Sequence, residues 1–196
     1  MNKPQTNENF SDYPDEELVA MTLENQSFFL YLMKRYEQKL LRYILRISNI
    51  SYEEAEDVLQ DIFIKVYQNL NGFDSELKFS SWIYRIAHNE VINNFRKNKA
   101  RAHGHAVSID ENLINKLVSG INVEKEIDQK YLQKNIYKIL EKMDIKYREV
   151  LVLKFLEEKD YKEISDILKK PMGTIATLIN RAKNKFLEEL KLNPIK

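Results

Sequence analysis

The side chains best suited to chemistry lie near the C-terminal end, on the second of two amphipathic segments separated by Lys169-Lys170-Pro171-Met172-Gly173. Two short helices joined by such a turn form a helix-turn-helix, whose second helix reads the major groove of duplex DNA. Hydroxyl, amide and cationic groups occupy this second segment: Thr174 as its N-cap, then Thr177, Asn180, Arg181 and Asn184, with Lys183 and Lys185 beside them. A helical hairpin that packs only within its own domain would show a similar pattern.

A second group of polar and aromatic side chains lies on a helix that the periodicity predicts over 81–98. The side opposite its apolar stripe mixes ring, amide and cationic groups: Tyr84, Arg85, His88, Asn89, Ile92 and Arg96. Unpaired bases stack on exposed rings, each stack contributing about 1–3 kcal/mol, while cations hold the backbone. Together with the loop at 71–77, this pattern indicates a site for single-stranded nucleic acid. The alternative is an ordinary amphipathic surface.

The third group lies on the polar side of the helix predicted over 51–70. Asp57, Gln60 and Asp61 surround Ile64, an apolar residue among acids on the side expected to face solvent. Such a mixture is typical of a protein interface. The alternative is a solvated acidic face with one exposed isoleucine, since exposed apolar residues are common.

Helical periodicity positions all three groups, and no strand pattern appears. Ser51 and Glu54 have the spacing of a capping box, and Ser80 or Ser81 is the expected cap of the next helix. The inward stripe of the 51–70 helix is expected to comprise Ala55, Val58, Leu59, Ile62, Phe63, Val66, Tyr67 and Leu70. Further helices are predicted over 15–26, 27–47, 124–142, 145–157, 161–168 and 174–190.

These elements predict an all-α protein: two small helical domains joined by a flexible linker, the C-terminal one a helix-turn-helix. The expected boundaries are a mobile tail at 1–14, a first domain at 15–98, a linker at 99–123 and a second domain at 124–196. A length of 196 residues suits two small domains, and four glycines with four prolines argue against a sheet-rich fold.

Composition excludes several classes of function. The absence of cysteine excludes disulfides, thiolate metal sites and a cysteine nucleophile, and it fits the reducing cytoplasm. Three histidines leave little for catalysis, and His103 with His105 lacks the further ligands of a metal site. No apolar run is long enough for a membrane span. We therefore expect a cytoplasmic protein that is not an enzyme and has no metal, cofactor or membrane contact.

Charge is segregated although the net charge is only +1. Residues 1–61 contain 12 acidic and 6 basic side chains, whereas residues 78–105 contain 6 basic and 1 acidic. An acidic first segment and a basic middle can face one basic partner and one polyanion.

Three blocks in this order resemble the sigma-70 family of bacterial transcription initiation factors, in particular the two-domain extracytoplasmic-function (ECF) group. AEDVLQDIFIKVYQNL at 55–70 resembles the segment that binds the clamp helices of core RNA polymerase. FSSWIYRIAHNEVINNFRK at 79–97 resembles the helix that melts and reads the −10 element. The block at 147–190 resembles the domain that reads the −35 element.

The resemblance implies a role for each group of residues. The clamp would contact Asp57, Gln60, Asp61 and Ile64. Unpaired −10 bases would contact the loop and the helix that follows it: Asn71, Phe73, Lys78, Tyr84, Arg85, His88, Asn89, Asn93, Arg96 and Lys97. The −35 groove would contact Thr174, Thr177, Asn180, Arg181 and Lys183. Implied partners are the β and β′ subunits of core polymerase, promoter DNA and an anti-sigma protein.

The chain departs from the family pattern in the helix-turn-helix. Lys169 occupies a position where relatives usually have a small residue or glycine, and Ala176 and Leu178 occupy positions that are commonly basic. Each lost contact between a cation and a phosphate reduces the slope of log K against log salt concentration by about 0.9. We therefore hypothesise that −35 recognition is relaxed or is helped by another DNA-bound protein. The alternative functions are a stand-alone helix-turn-helix regulator and an all-helical scaffold.

Overall fold

The computed structural model describes residues 12–48, 50–97, 117, 119–121, 136 and 138–192, and among these it contains helices and no strand. This confirms the all-α fold class. Seven α-helices are bounded in full: α1 Asp15–Glu24, α2 Phe29–Ser48, α3 Tyr52–Asn69, α4 Phe79–Lys97, α5 Ile145–Leu151, α6 Tyr161–Leu168 and α7 Met172–Leu192. Short 3₁₀ turns cover Gln26–Phe28 and Leu70–Gly72, and α5 continues into a π-helical turn over Val152–Leu156.

The capping box predicted for α3 is confirmed. The Glu54 amide donates to the Ser51 hydroxyl at 3.1 Å, and the Ser51 amide donates to the Glu54 carboxylate at 3.0 Å. The cap predicted for α4 is wrong, because that helix begins two residues earlier and Ser81 is buried in it. Its first amide, at Phe79, instead donates to the Glu16 carboxylate of α1 at 3.1 Å.

The first four helices enclose an apolar core in which α2 packs against α3 and α4. Rings from three elements meet around the fully buried Phe79, whose ring centre lies 5.6 Å from Tyr36 and 5.4 Å from Phe73. Trp82 lies 5.4 Å from Phe73 and closes this cluster. The aromatic cluster thereby fixes the loop before α4 against the body of the domain.

Tyr67 corrects the predicted inward stripe of α3. Its side chain is 44% exposed, at the edge of the α2–α3 contact. The hydroxyl donates to Gln26 at 2.8 Å, and the ring packs edge-on against Phe29 at 5.2 Å. Tyr67 lies at the border of the buried face of α3, where burial depends on how far the neighbouring helix extends. Periodicity cannot show this extent, so it predicted a buried side chain.

Helices α5, α6 and α7 pack together, and the last two are the predicted helix-turn-helix; their buried apolar residues belong to the same hydrophobic cluster as those of the first four helices. In the turn Lys169 adopts the left-handed conformation (φ 52°, ψ 45°), and its amide donates to the Ser165 carbonyl. The Ile175 amide donates to the Pro171 carbonyl at 3.0 Å, so α7 starts at Met172. Thr174 therefore lies within the first turn, and its predicted role as the N-cap is wrong.

The second group of helices packs against the first. Helix α6 lies along α4, while α5 and its π-helical turn contact α2. In the predicted linker, the described residues Leu117 and Ile121 are buried, and a Cβ added at Gly120 would collide with the ring of Phe155. Any larger residue at this position would therefore force either the Phe155 ring or the linker backbone to move.

The left-handed turn residue generates a stability prediction. Lys169→Gly should raise the free energy of unfolding by about 1 kcal/mol, because a side chain in this conformation brings its Cβ against the following carbonyl. Urea titration measures the change. Lys169→Ala is the matched control, since alanine removes the same charge and keeps the Cβ; an equal gain for alanine would contradict the explanation.

Candidate functional site

The predicted acidic face is present on α3 as a continuous exposed surface. Asp57, Gln60, Asp61 and Ile64 are all exposed, and Ile64 is 54% exposed. Their spacing places them on one side of the helix, on adjacent turns. Within the described ranges neither aspartate forms an ion pair or a hydrogen bond. The face thus presents two unpaired carboxylates around an apolar residue.

A groove between α2 and α3 adjoins this face, with a volume of about 790 Å³. Its lining shares Gln60 and Ile64 with the acidic face, and apolar residues form most of the rest: Phe29, Leu30, Met33, Leu59, Phe63 and Tyr67, with Lys34, Glu37, Glu56 and Gln68. Sequence analysis missed Leu30, which is 49% exposed. Leu30 is an apolar residue off the buried side of α2, which carries Leu32, Tyr36 and Leu40, and that position was the signal in the sequence.

The residues predicted to bind unpaired bases are divided by the structure. Asn71, Asn89 and Asn93 are exposed, whereas Phe73 is half-buried in the aromatic cluster. Lys78 is exposed but lies 3.4 Å from Glu163 and 3.9 Å from Asp160 at the start of α6. Arg96 and Lys97 belong to the last turn of α4, and their side chains lie outside the described part of the structure.

Tyr84 and His88 face the second domain rather than solvent. Tyr84 is only 2% exposed, its hydroxyl donates to Glu157 at 2.6 Å, and the Lys159 ammonium lies 4.6 Å from its ring centre. Burial, with the nearby Glu157 carboxylate, raises the pKa of the Tyr84 hydroxyl. The expectation that this side of α4 faces solvent is therefore wrong at Tyr84, because a second domain covers it; Arg85 beside it is half-buried.

The recognition face predicted on α7 is exposed. Thr174, Thr177, Asn180 and Arg181 are all exposed, and the Thr177 hydroxyl donates to the Gly173 carbonyl at 2.9 Å. Lys183 is half-buried with its ammonium 5.5 Å from the ring centre of Phe155, so it turns toward the domain body.

The unusual apolar residue on α7 has a structural role. Leu178 is half-buried and packs against the hydrophobic core. Leu178 therefore contributes packing and places no cation on the exposed face that the sequence predicts to bind DNA. Arg181 is the one cation among the four exposed residues of the predicted recognition face.

A buried polar cluster between the domains escaped sequence analysis. A Glu149 carboxylate oxygen lies 3.5 Å from His88 Nδ1, and Lys170 lies 4.0 Å from the other oxygen. Burial, assisted by Lys170, lowers the pKa of His88 to about 4, so the imidazole is neutral near pH 7. Burial raises the pKa of Glu149 to about 7, against a lowering effect of Lys170. A protonated Glu149 can donate to Nδ1, which otherwise lacks a partner among the described residues.

This cluster predicts a pH-dependent effect of Glu149→Gln. The folded-state pKa of Glu149 exceeds its ordinary value of 4.5. The contribution of this group to the stability of the wild type is therefore complete below about pH 4.5 and is lost as the pH rises through 7. Glutamine cannot ionise and retains a donor for His88. We expect the variant and the wild type to differ little near pH 4.5, and the variant to gain stability up to pH 8, by on the order of 1–3 kcal/mol.

Urea titrations at several pH values measure this difference. His88 titrates in the opposite sense, losing stability as pH falls through the range between its ordinary pKa and 4, and it is present in both proteins. Lys170 and Asp144 also act on Glu149 and are likewise unchanged. A difference that is constant with pH would contradict the assignment.

Membrane-spanning helices and metal-binding clusters are two features that the sequence does not predict. No helix in the described ranges is long and apolar enough to span a membrane. Among the same residues no group of three or more histidine, aspartate or glutamate side chains could hold a metal ion. His103 and His105 lie outside the described residues.

Comparison with known proteins places the chain in a family. Residues 32–101 match the family model Sigma-70 region 2, and residues 133–186 match Sigma-70, region 4. The chain is 34% identical to the ECF RNA polymerase sigma factor SigW of Bacillus subtilis over 171 residues, covering 85% of this chain and 91% of that protein. It is 26% identical to the RNA polymerase sigma-H factor of Pseudomonas aeruginosa, covering 86% and 90%.

Solved structures share the fold. CnrH, in complex with the cytosolic domain of CnrY, superposes with a TM-score of 0.66 at 22% identity, covering 91% of this chain and 98% of that chain. The sigma factor RpoE of Bartonella quintana, in complex with the anti-sigma factor NepR, gives 0.61 at 21% identity, covering 84% and 98%. Two matched regions in family order and a relative of this identity and coverage identify the chain as a member of the sigma-70 family, in its ECF group.

Proposed function

We propose that this sigma factor binds core RNA polymerase through the acidic face of α3, directs it to promoters and stabilises the melted −10 strand. The observation that carries the proposal is the pair of unpaired carboxylates around exposed Ile64, within a segment that matches sigma-70 region 2. Co-elution of the purified chain with core polymerase on a sizing column tests it. A stable one-to-one complex is expected. Failure to bind would favour a stand-alone helix-turn-helix regulator of duplex DNA.

The chemistry of the α3 surface defines the contact it suits. Carboxylates at Asp57 and Asp61 attract basic side chains, while Ile64 and the adjoining groove accept apolar ones. A partner helix with basic and apolar residues on one side would satisfy both, and the clamp helices of core polymerase are the proposed partner. Electrostatic complementarity of this kind mainly raises the association rate and the specificity.

The proposed DNA contacts follow from the exposed polar residues of α4 and α7. Asn71, Asn89 and Asn93 would contact the unpaired −10 strand, and Thr177, Asn180 and Arg181 the −35 duplex. Since Arg181 is the one cation among the exposed residues of the predicted recognition face, we propose that −35 binding is weak or is helped by another DNA-bound protein. In this role the chain supplies no catalytic group.

The proposed setting and regulation follow from these partners. Polymerase and chromosome lie in the bacterial cytoplasm, so the proposed role places the chain there. A solved relative of the same fold is bound to an anti-sigma factor. We propose a protein of that class as a regulatory partner here.

Reversing one charge on α3 tests the polymerase surface. Asp61→Arg should weaken core binding roughly 10-fold to 100-fold, because like charges then face each other across the interface. Fluorescence titration with core polymerase measures the affinity, and circular dichroism checks the fold. Glu24→Arg is the matched control: it makes the same exposed charge change at the end of α1, outside the acidic face of α3, and should leave affinity within about twofold. Equal losses for both variants would contradict the assigned surface.

Removing the cation from α7 tests duplex reading. Arg181→Ala should weaken binding of promoter duplex to the polymerase complex by about 1–3 kcal/mol without changing core affinity. Lys191→Ala, an exposed cation at the far end of the same helix, is the control and should have little effect. Footprinting checks −35 protection. Strong sequence-specific −35 protection by the sigma–polymerase complex alone would contradict the proposal that −35 recognition is weak.

A further inference from the structure

The first turn of α1 carries three acidic residues, and two of them bond to other helices. The Asp15 carboxylate accepts from the Arg35 guanidinium of α2 at 2.6 Å and from the Tyr36 hydroxyl. The Glu16 carboxylate accepts from the Phe79 amide, the first of α4, at 3.1 Å. Acids in a first helical turn are favourable for their own helix because of its dipole. Here they also join α1 to α2 and to the start of α4.

Glu16 does for α4 what an N-cap residue usually does. The leading amides of a helix lack acceptors within the helix, and a side-chain oxygen just before the helix normally accepts from one of them. The residue before α4 is Lys78, whose ammonium cannot accept a hydrogen bond. Ser81 supplies no such bond either, because its hydroxyl is buried without a partner among the described residues. The acceptor for the Phe79 amide therefore comes from α1, 63 positions away in the sequence.

The residue that Glu16 binds lies at the centre of the aromatic cluster. The Phe79 ring is fully buried among three aromatic side chains: Tyr36, Phe73 and Trp82. Asp15 binds one of these, since it accepts from the Tyr36 hydroxyl. The two acids of α1 thus hold the cluster at two points, through the Phe79 backbone and through the Tyr36 side chain.

α1 contacts both ends of the loop at 73–78, which joins the 3₁₀ turn Leu70–Gly72 to α4. It touches the 3₁₀ turn, where the loop starts, and α4, where the loop ends. Inside the loop the Leu77 amide donates to the Asp74 carbonyl at 3.0 Å. This bond is local, so it shapes the loop but does not orient it against the domain. The orientation depends on Phe73 in the aromatic cluster and on the start of α4, which Glu16 binds.

We propose that α1 holds the residues for unpaired −10 bases in a fixed arrangement, and that Glu16 is the positioning residue. The inference rests on the proposed function, which assigns such bases to Asn71 in the 3₁₀ turn and to Asn89 and Asn93 on α4. These amides can bind one strand together only if the turn and α4 keep a constant relation. Glu16 maintains that relation because it anchors the first turn of α4 to a helix that also contacts the 3₁₀ turn.

The single tryptophan of the chain, Trp82, reports on this arrangement in the full-length protein. Its ring centre lies 5.6 Å from that of Phe79, and its side chain is 9% exposed. Glu16→Ala leaves the Phe79 amide without its acceptor, so the first turn of α4 should fray and Trp82 emission should shift to longer wavelength. Glu16→Gln keeps an oxygen acceptor and should keep the wild-type emission. Glu17→Ala, which removes an exposed carboxylate from the same turn, is the matched control and should also leave emission unchanged.

Strand binding measures what the arrangement does. The probe is a fluorescent single-stranded DNA selected from a random pool for binding to the complex of the wild-type chain with core polymerase. The Glu16→Ala complex should bind it about 3-fold to 10-fold more weakly, the factor expected for loss of a helix cap. Glu16→Gln and Glu17→Ala should bind it within about twofold of the wild type. All three variants should keep their affinity for core polymerase, and circular dichroism confirms that each is folded.

A loss confined to strand binding supports the proposal, because general destabilisation would lower core affinity as well. Unchanged Trp82 emission in Glu16→Ala would overturn it, and so would an emission shift without weaker strand binding. Equal losses in Glu16→Ala and Glu17→Ala would also overturn it. Failure of the wild-type chain to bind core polymerase would contradict the proposed function, whereas the Trp82 emission would still decide whether Glu16 holds the start of α4.

Discussion

A carboxylate can leave water only where hydrogen-bond donors replace its hydration, and the arrangement of the two domains depends on how Glu157 meets that requirement. Donors come from Arg46 in α2 and Tyr84 in α4, which lie far from Glu157 in the sequence. The π-helical turn and the positive φ of Glu158 direct the carboxylate to them. The packing of α6 along α4 and the burial of His88 accompany this one contact.

The packing around Glu157 also decides which surfaces of the chain are exposed. The acidic face of α3, with its adjoining apolar groove, is exposed, and so is the outward face of α7. The side of α4 that carries Tyr84 is closed. Arg181 is the one cation among the four exposed residues of the predicted recognition face on α7.

Much of this molecule could be predicted from local patterns. Apolar spacing of three and four identifies the helices, and the Ser51–Glu54 box and the turn after Leu168 locate boundaries through short-range hydrogen bonds. The exposure of Asp61 and Ile64 also follows from the helical period. These features depend on residues within a few positions of each other, so the sequence carries their information locally. The start of α4 was predicted wrongly because it depends on a residue distant in the sequence. The first amide of α4 donates to the Glu16 carboxylate of α1.

Amino-acid order alone therefore determined the helices, their apolar faces and the membership of the sigma-70 family. Only the tertiary structure decided which polar faces remain exposed. Periodicity assigns Tyr84 to the side away from its own core, yet it cannot indicate that a second domain covers that side. Arg46 and Glu157 resemble ordinary surface charges in the sequence. Their pairing joins residues 111 positions apart, and burial of charge depends on such distant partners rather than on neighbours in the chain.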